Sequence, residues 1–479
     1  MFMKVLVLNP PYLPRFSRQS RSPCVTKGGT FYYPYYLAYA TGVLEQNGHN
    51  VKLVDAVANE WDHETTLKFV KKFQPELVVI GTSTPSIYND MSVADAIKNS
   101  LENVHVSLVG THVTAMPEWT LKNCKADSVC IGEYDYTVRD LAEALEKNQN
   151  LKNVKGIVFR DGKKLVRTKP RELIKNLDEL PWVSEVYKKH FGKKGIMKYF
   201  YASLLWPQVT ILTARGCPFN CSFCPIPFKH SYRARSVKDV ADEFEYIQNE
   251  LPYVREVMIE DDTFPVSKKR TIELCKELIK RGIKLKWSCN ARVDTDFETL
   301  KWMKRAGCRL LCVGFESPEQ SSLEAVHKRT TKEMQERFMK YTKILGLLVN
   351  GCFILGLPGE TKETVKKTIE FAKKLNCDTA QFYPLMVYPG TEAYEWAKKN
   401  GYLETEDFSK WLHENGTMRT TVSRPGLSSA MLDEMCTLAR KSYYLRLSYL
   451  IPKFFQMLTN PAEALRTLKS FKVFWRHII

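Results

Sequence analysis

Between residues 207 and 385 the chain repeats one pattern six times: a short apolar run, a polar loop, then an amphipathic helix. The runs are QVTILTARG, EVMIEDD, KLKWSCNAR, RLLCVGFES, VNGCFILGL and TAQFYPLM. In the intervening SVKDVADEFEYIQNEL, Val237, Val240, Ala241, Phe244, Ile247 and Leu251 fall on one helical face, and Ser236 precedes them as an N-cap. Strands joined by such crossovers pair in parallel. Six in succession predict an open or closed (β/α) barrel, whose chemistry lies at the carboxyl ends of the strands.

Directly after the first of these strands stands RGCPFNCSFCP, with Cys217, Cys221 and Cys224 spaced C-x3-C-x2-C. A disulfide would leave one thiol over and would suit an exported chain, whereas MFMKVLVLNP has no basic n-region, apolar stretch or cleavage site. A structural zinc site takes four ligands, usually as two pairs, and no second pair lies nearby. Thiolates also bind iron–sulfur clusters, usually as four ligands. Three would fill three irons of a four-iron cluster and leave the fourth open to a reactant. The other cysteines, Cys308 and Cys352 among them, mostly stand singly in apolar runs, as small core residues do.

Residues 1–149 also alternate strand and helix, which predicts a doubly wound parallel sheet. Its strand ends fall at Asn9-Pro10, Thr82-Ser83-Thr84, Gly110-Thr111-His112 and Gly132-Glu133, where such a sheet binds ligands. No G-x-G-x-x-G is present, so a dinucleotide is not favoured. Residues 150–205 read as a connector: a hairpin turning at Asp161-Gly162, then an arm of aromatics and lysines. The arm reads as a surface segment, with a lid as the alternative. Residues 206–400 hold the barrel, and 401–479 a helical extension.

The combination resembles the radical S-adenosylmethionine (radical SAM) superfamily over nearly the whole chain, with a cobalamin-binding-type domain ahead of the barrel. The resemblance implies a 4Fe-4S cluster on Cys217, Cys221 and Cys224. SAM would chelate the open iron; one electron from a low-potential donor would cleave it, and the adenosyl radical would take hydrogen from a substrate. On this likeness Glu260, Asp261 and Asp262 face the SAM amino group and Glu316 the ribose. Ile354 and Gly356 back the adenine, Ser288, Asn290 and Arg292 point into the same rim, and Phe223 shields the cluster. Cobalamin would lie on the strand ends of the first domain. The loop from residue 9 to 35 has no histidine, so cobalt would lack a histidine ligand.

TSTPS, DDTF, WSCNA and FILGLPGETKET are closest to hopanoid-associated, cyclitol ether-forming members, implying a lipid head group as substrate. The alternatives are a cobalamin-dependent C-methyltransferase, a porphyrin cyclase-like enzyme and, more remotely, a tRNA methylthiolase. The net charge of +18 admits nucleic acid, an anionic membrane or an anionic substrate. No apolar run is long enough to span a membrane. From Lys441 to Ile479 seven basic residues face one acidic residue, Glu463, among aromatics that include Phe471, Phe474 and Trp475. That suits an anionic interface better than nucleic acid, for which no role is expected. The expectation is a cytoplasmic enzyme, peripheral on the inner membrane face, with the barrel mouth toward the bilayer.

Overall fold

The computed structural model describes residues 3–226 and 228–478, without the side chains of 462 and 471–478. The expectations placed on Phe471, Phe474 and Trp475 lie outside the described residues. The first sheet comprises β1 (Lys4–Asn9), β2 (Asn50–Asp55), β3 (Leu77–Thr82), β4 (His105–Gly110), β5 (Ser128–Cys130), β6 (Ile157–Asp161) and β7 (Lys164–Arg167). Its order is β2-β1-β3-β4-β5-β6-β7. The first five strands are parallel. β1 lies between β2 and β3, so winding reverses there and a crevice opens beyond the carboxyl ends of β1 and β3.

The hairpin assigned above to the connector belongs instead to this sheet. β6 pairs antiparallel with β5, Ser128 opposite Phe159, and β7 follows as the edge. β5 would otherwise expose a row of unpaired backbone groups, and the hairpin covers them.

The second unit opens with β8 (Gln208–Ile211), followed by a two-residue ribbon of β9 (Ala214–Arg215) against β10 (Arg233–Ala234). Then come β11 (Glu256–Ile259), β12 (Lys286–Ala291), β13 (Cys308–Glu316), β14 (Leu348–Leu355) and β15 (Thr379–Pro384). The order β8-β11-β12-β13-β14-β15 is sequential and parallel, and among the described residues β8 and β15 do not pair. Side chains from the carboxyl ends of β11 to β15 line one cavity, which requires a strongly curled sheet. The helix Val237–Glu250 buries Val240, Ala241, Phe244 and Ile247, and Ser236 Oγ caps it by accepting from Asp239 N–H.

The arm expected at the surface instead contributes core aromatics, and its Tyr201 lines the cavity. Tyr187 and Tyr199 stack on Tyr33 at centroid distances of 4.5 and 3.9 Å, while Lys193, Lys194 and Lys198 point outward. The tail helices Leu447–Thr459 and Pro461–Ile478 lie at the amino-terminal end of the second sheet. There Tyr449 donates to the Asp378 carbonyl, and Arg309, second residue of β13, donates to Glu463 at 2.5 Å. The expected orientation is thereby corrected. The tail sits at the end opposite the cysteine loop, because its polar partners are the residues that begin the strands.

Candidate active site

The cysteine loop leaves β8 through the ribbon and returns through it. Gly216 has φ +81, and a Cβ there would lie 2.6 Å from the Ser231 carbonyl oxygen, so only glycine lets the loop cross its own return. Cys217 N–H donates to the Phe228 carbonyl and Cys224 N–H to the Cys221 carbonyl. Lys229 Nζ donates to the Cys221 carbonyl at 3.0 Å. All three thiols line a cavity of about 250 Å³ at the carboxyl ends of the strands. Burial pushes the Cys224 thiol up to about 11 and raises Cys217, so thiolates here need a metal partner rather than solvent. Among the described residues no trio of His, Cys, Asp or Glu is arranged as the ligands of a single ion.

The strand-end residues divide by depth and by partner. Glu260 Oε1 accepts from Asn290 at 3.3 Å, while the buried Oε2 has no hydrogen-bond partner. Burial pushes this carboxyl up to about 7. An unpartnered buried carboxylate oxygen fits an ammonium group. Asp262, Asn290, Arg292, Glu316, Ile354 and Phe223 line the same cavity. Asp262 Oδ2 also accepts from Gly216 N–H at 3.1 Å and so anchors the loop. The Arg292 guanidinium lies 3.6 Å from the Phe219 ring centroid, which ties the cysteine loop to β12.

Three expected SAM contacts are corrected. Asp261 turns away from the cavity: its carboxylate accepts from Thr213 N–H and hydroxyl, both at 2.6 Å, and from Ala214 N–H at 3.0 Å, fastening β11 to the end of β8. Ser288 shares a face with Asn290 and Arg292, but two residues of strand are about 6.6 Å, and Ser288 instead donates to Glu256 near the amino end. Gly356 does not line the cavity. Its φ is +92, a Cβ would lie 2.8 Å from Leu432, and its N–H donates to Glu360 Oε2 at 2.7 Å. Glu316 does line it, with Lys328 Nζ donating to its Oε1 at 2.6 Å. The sequence reading missed that lysine, which carries no motif.

The first unit reaches the cavity through the loop after β1. Ser20, Arg21, Ser22, Cys24 and Tyr32 line it beside the three thiols. Arg21 Nη2 donates to the Asp261 and Asp262 carbonyls at 3.1 and 2.9 Å. The loop is pinned by Arg18, which donates to Asp90 at 2.8 Å, to Asn9 Oδ1 at 3.2 Å and to the Pro10 carbonyl at 2.6 Å. Asn9 and Pro10 are therefore engaged in holding the loop. Glu133 is engaged too: Arg215 and Arg233 donate to it at 2.9 and 2.8 Å, and Arg215 also pairs with Asp135 at 2.6 Å. These buried pairs join the ribbon beneath the cysteine loop to the first sheet and correct the ligand role expected of Glu133.

The other expected cobalamin positions meet at the β3 and β4 ends. Thr82 hydroxyl donates to the Val109 carbonyl, Ser83 pairs with Ser86, and Thr84 Oγ1 lies 3.2 Å from His112 Nδ1. Gly110 has φ +129 and touches Thr82; Thr111 is exposed; Gly132 N–H donates to Thr114. His112 Nε2 is buried without a partner, and burial pushes the ring down to about 3, so it stays neutral. Phe408 and Trp119 flank it. These hydroxyls and the unpartnered imidazole nitrogen are hydrogen-bonding groups of the kind that fit a polar ligand such as a corrinoid's nucleotide arm.

The family model of the Radical SAM superfamily matches residues 211–372, and that of the B12 binding domain residues 21–142. The uncharacterized methyltransferase PH0819 of Pyrococcus horikoshii is 34% identical over 458 residues, covering 95% of each chain. This chain belongs to the radical SAM superfamily. It is a radical SAM enzyme with a B12-binding domain, and its cofactors are a 4Fe-4S cluster, SAM and cobalamin. The anaerobic magnesium-protoporphyrin IX monomethyl ester cyclase of Cereibacter sphaeroides is 29% identical, over 79% of this chain and 62% of that one. The solved structure of the radical SAM methyltransferase TsrM from Kitasatospora setae, with cobalamin and cluster bound, shares the fold. Its TM-score is 0.71 at 19% identity, covering 92% of this chain and 91% of that one. In this radical SAM enzyme the three thiols fit the cluster, and Glu260 Oε2 fits the SAM ammonium.

Proposed function

We propose that this radical SAM enzyme methylates a carbon of a small polar molecule. One observation carries the reading: the B12-binding unit and the cysteine loop line a single cavity, Arg21 and Tyr32 from one and Cys217, Cys221 and Cys224 from the other. Its similarity along the full length to a protein named a methyltransferase supports it. When bound, the cofactors supply the radical and the methyl group, with electrons from a low-potential donor. The chain's own residues position and shield. Glu260 receives the ammonium, Asp262 holds the loop, and Phe219 and Arg292 close it from the side. Tyr32, Tyr201, Asn350, Gln381 and Tyr383 offer neutral hydrogen-bonding groups to a substrate. The lipid head group implied by the resemblance has less behind it, since the apolar tail lies at the opposite end of the sheet. The tRNA methylthiolase alternative has less still: of Cys24, Cys124 and Cys130, only Cys24 lines the cavity.

The test is anaerobic reconstitution with iron, sulfide and hydroxocobalamin, then turnover with methyl-deuterated SAM and a reductant. Methyl transfer yields S-adenosylhomocysteine alongside 5′-deoxyadenosine. 5′-Deoxyadenosine without any S-adenosylhomocysteine from the cobalamin-loaded enzyme would refute methylation and favour a rearrangement or cyclase.

A further inference from the structure

The helix Leu447–Thr459 has no buried residue. Leu447, Ile451, Phe454, Phe455 and Leu458 are 52–71% exposed, and Leu465 and Leu468 of the following helix continue the patch. Helices on globular proteins turn the apolar stripe inward. Here the polar side is inward: Tyr449 donates to the Asp378 carbonyl, and Arg466 is buried against Glu463 and the Ala202 carbonyl. The pair is therefore anchored to the enzyme by hydrogen bonds and ion pairs and presents hydrocarbon outward. An exposed apolar patch on an anchored element marks an interaction surface.

Charge indicates the partner. Glu463, the single acidic residue between Lys441 and Ile479, is buried between Arg309 and Arg466, so among the described residues no acidic side chain of the tail faces out. Basic residues flank the patch along the chain. Lys441 is exposed, and Lys469 Nζ lies 3.1 Å from the Trp206 ring centroid. Trp206 in turn donates to the Met197 carbonyl. Among the described residues no helix is long and apolar enough to cross a membrane. Exposed hydrocarbon, flanking basic residues and a buried Glu463 match the headgroup boundary of an anionic bilayer, with the helices lying in its plane.

We propose that the paired helices of residues 447–470 dock this enzyme on an anionic lipid surface. The amino-terminal end of the second sheet faces the bilayer and the cysteine loop faces away. Substrate then enters from the aqueous side, so docking localises the enzyme without selecting a lipid substrate.

The test uses the full-length, cluster-loaded enzyme in sedimentation with phosphatidylglycerol–phosphatidylcholine vesicles, against phosphatidylcholine alone, at low and high salt. Wild type binds the anionic vesicles, and salt weakens the binding. Phe454→Ser with Phe455→Ser weakens it at least about tenfold. Iron content and thermal midpoint stay unchanged, since both rings are exposed. On vesicles, hydrogen exchange slows in 445–470 but not in 216–233. Absence of wild-type binding at low salt, or wild-type binding by the double variant, would overturn the proposal. Protection of the cysteine loop would overturn the orientation. A dimer that the double variant converts to monomer, without vesicle binding, would assign the face to a second copy, and RNA binding that needs both rings would assign it to nucleic acid.

Discussion

Glu260→Gln sets stability against function at one atom. The carboxyl titrates at about 7 rather than 4.5 because burial outweighs the help of Arg21 and Asn290. Folded, it holds a proton more tightly than in the unfolded chain. Its stabilising contribution is complete below about pH 4.5 and is lost as pH rises through about 7. At about 1.4 kcal/mol per pKa unit, the ionised carboxylate costs the SAM-free fold about 3 kcal/mol above neutrality. Glutamine fills the same space without the charge. At pH 8 without SAM, the variant should be more stable by up to about 3 kcal/mol, seen as a higher denaturant midpoint at unchanged slope. The gain should shrink to nothing toward pH 4.5. The cluster-loaded variant should bind SAM roughly 10- to 150-fold more weakly in equilibrium dialysis, the loss of one charge-assisted hydrogen bond. Equal stability at pH 8 together with intact SAM affinity would refute the reasoning, because the carboxylate would then face neither a low-dielectric wall nor an ammonium.

Single Cys217→Ser, Cys221→Ser or Cys224→Ser changes should abolish SAM cleavage and lower bound iron while leaving far-ultraviolet circular dichroism unchanged; ten-percent residual cleavage in any one would contradict the cluster assignment. Cys308→Ser, at a buried core position, should cost about 1–3 kcal/mol of stability without losing iron, whereas Cys352 lines the cavity and its replacement should change turnover as well. Arg215→Met should destabilise by about 3–5 kcal/mol, because Glu133 and Asp135 stay buried with one partner fewer; a denaturant melt like that of wild type would show that the pairs do not hold the two sheets. Electron paramagnetic resonance of bound cob(II)alamin should show no nitrogen coupling from a protein histidine, since the loop after β1 contains none.

What could be read from one dimension was whatever repeats or lies close together in the chain. The period-two and period-3.6 patterns placed the strands and helices of both sheets, because a buried face imposes its spacing on consecutive residues. The C-x3-C-x2-C spacing singled out three cysteines that line one cavity, because one short loop carries all three. The alternation in WSCNAR put Ser288, Asn290 and Arg292 into one rim, and of these Asn290 and Arg292 line the cavity. The same local logic assigned the residues 157–167 hairpin correctly as a hairpin.

What the tertiary structure decided was depth, partner and direction. Ser288 is on the right face but one layer too low, and a strand's period carries no information about where the cavity floor lies. Asp261 and Asp262 are neighbours, yet one fastens β8 and the other faces the thiols, since adjacent side chains in extended chain diverge. Arg21 meets Asp261 across 240 residues and Glu133 meets Arg215 across 82. No local pattern encodes such pairings, because they depend on how two sheets close on each other. The tail shows the limit most plainly. Its basic, aromatic composition was visible in the sequence. Which way the apolar stripe turns, and at which end of the sheet, depended on Arg309 and Asp378 supplying partners that only folding brings within reach.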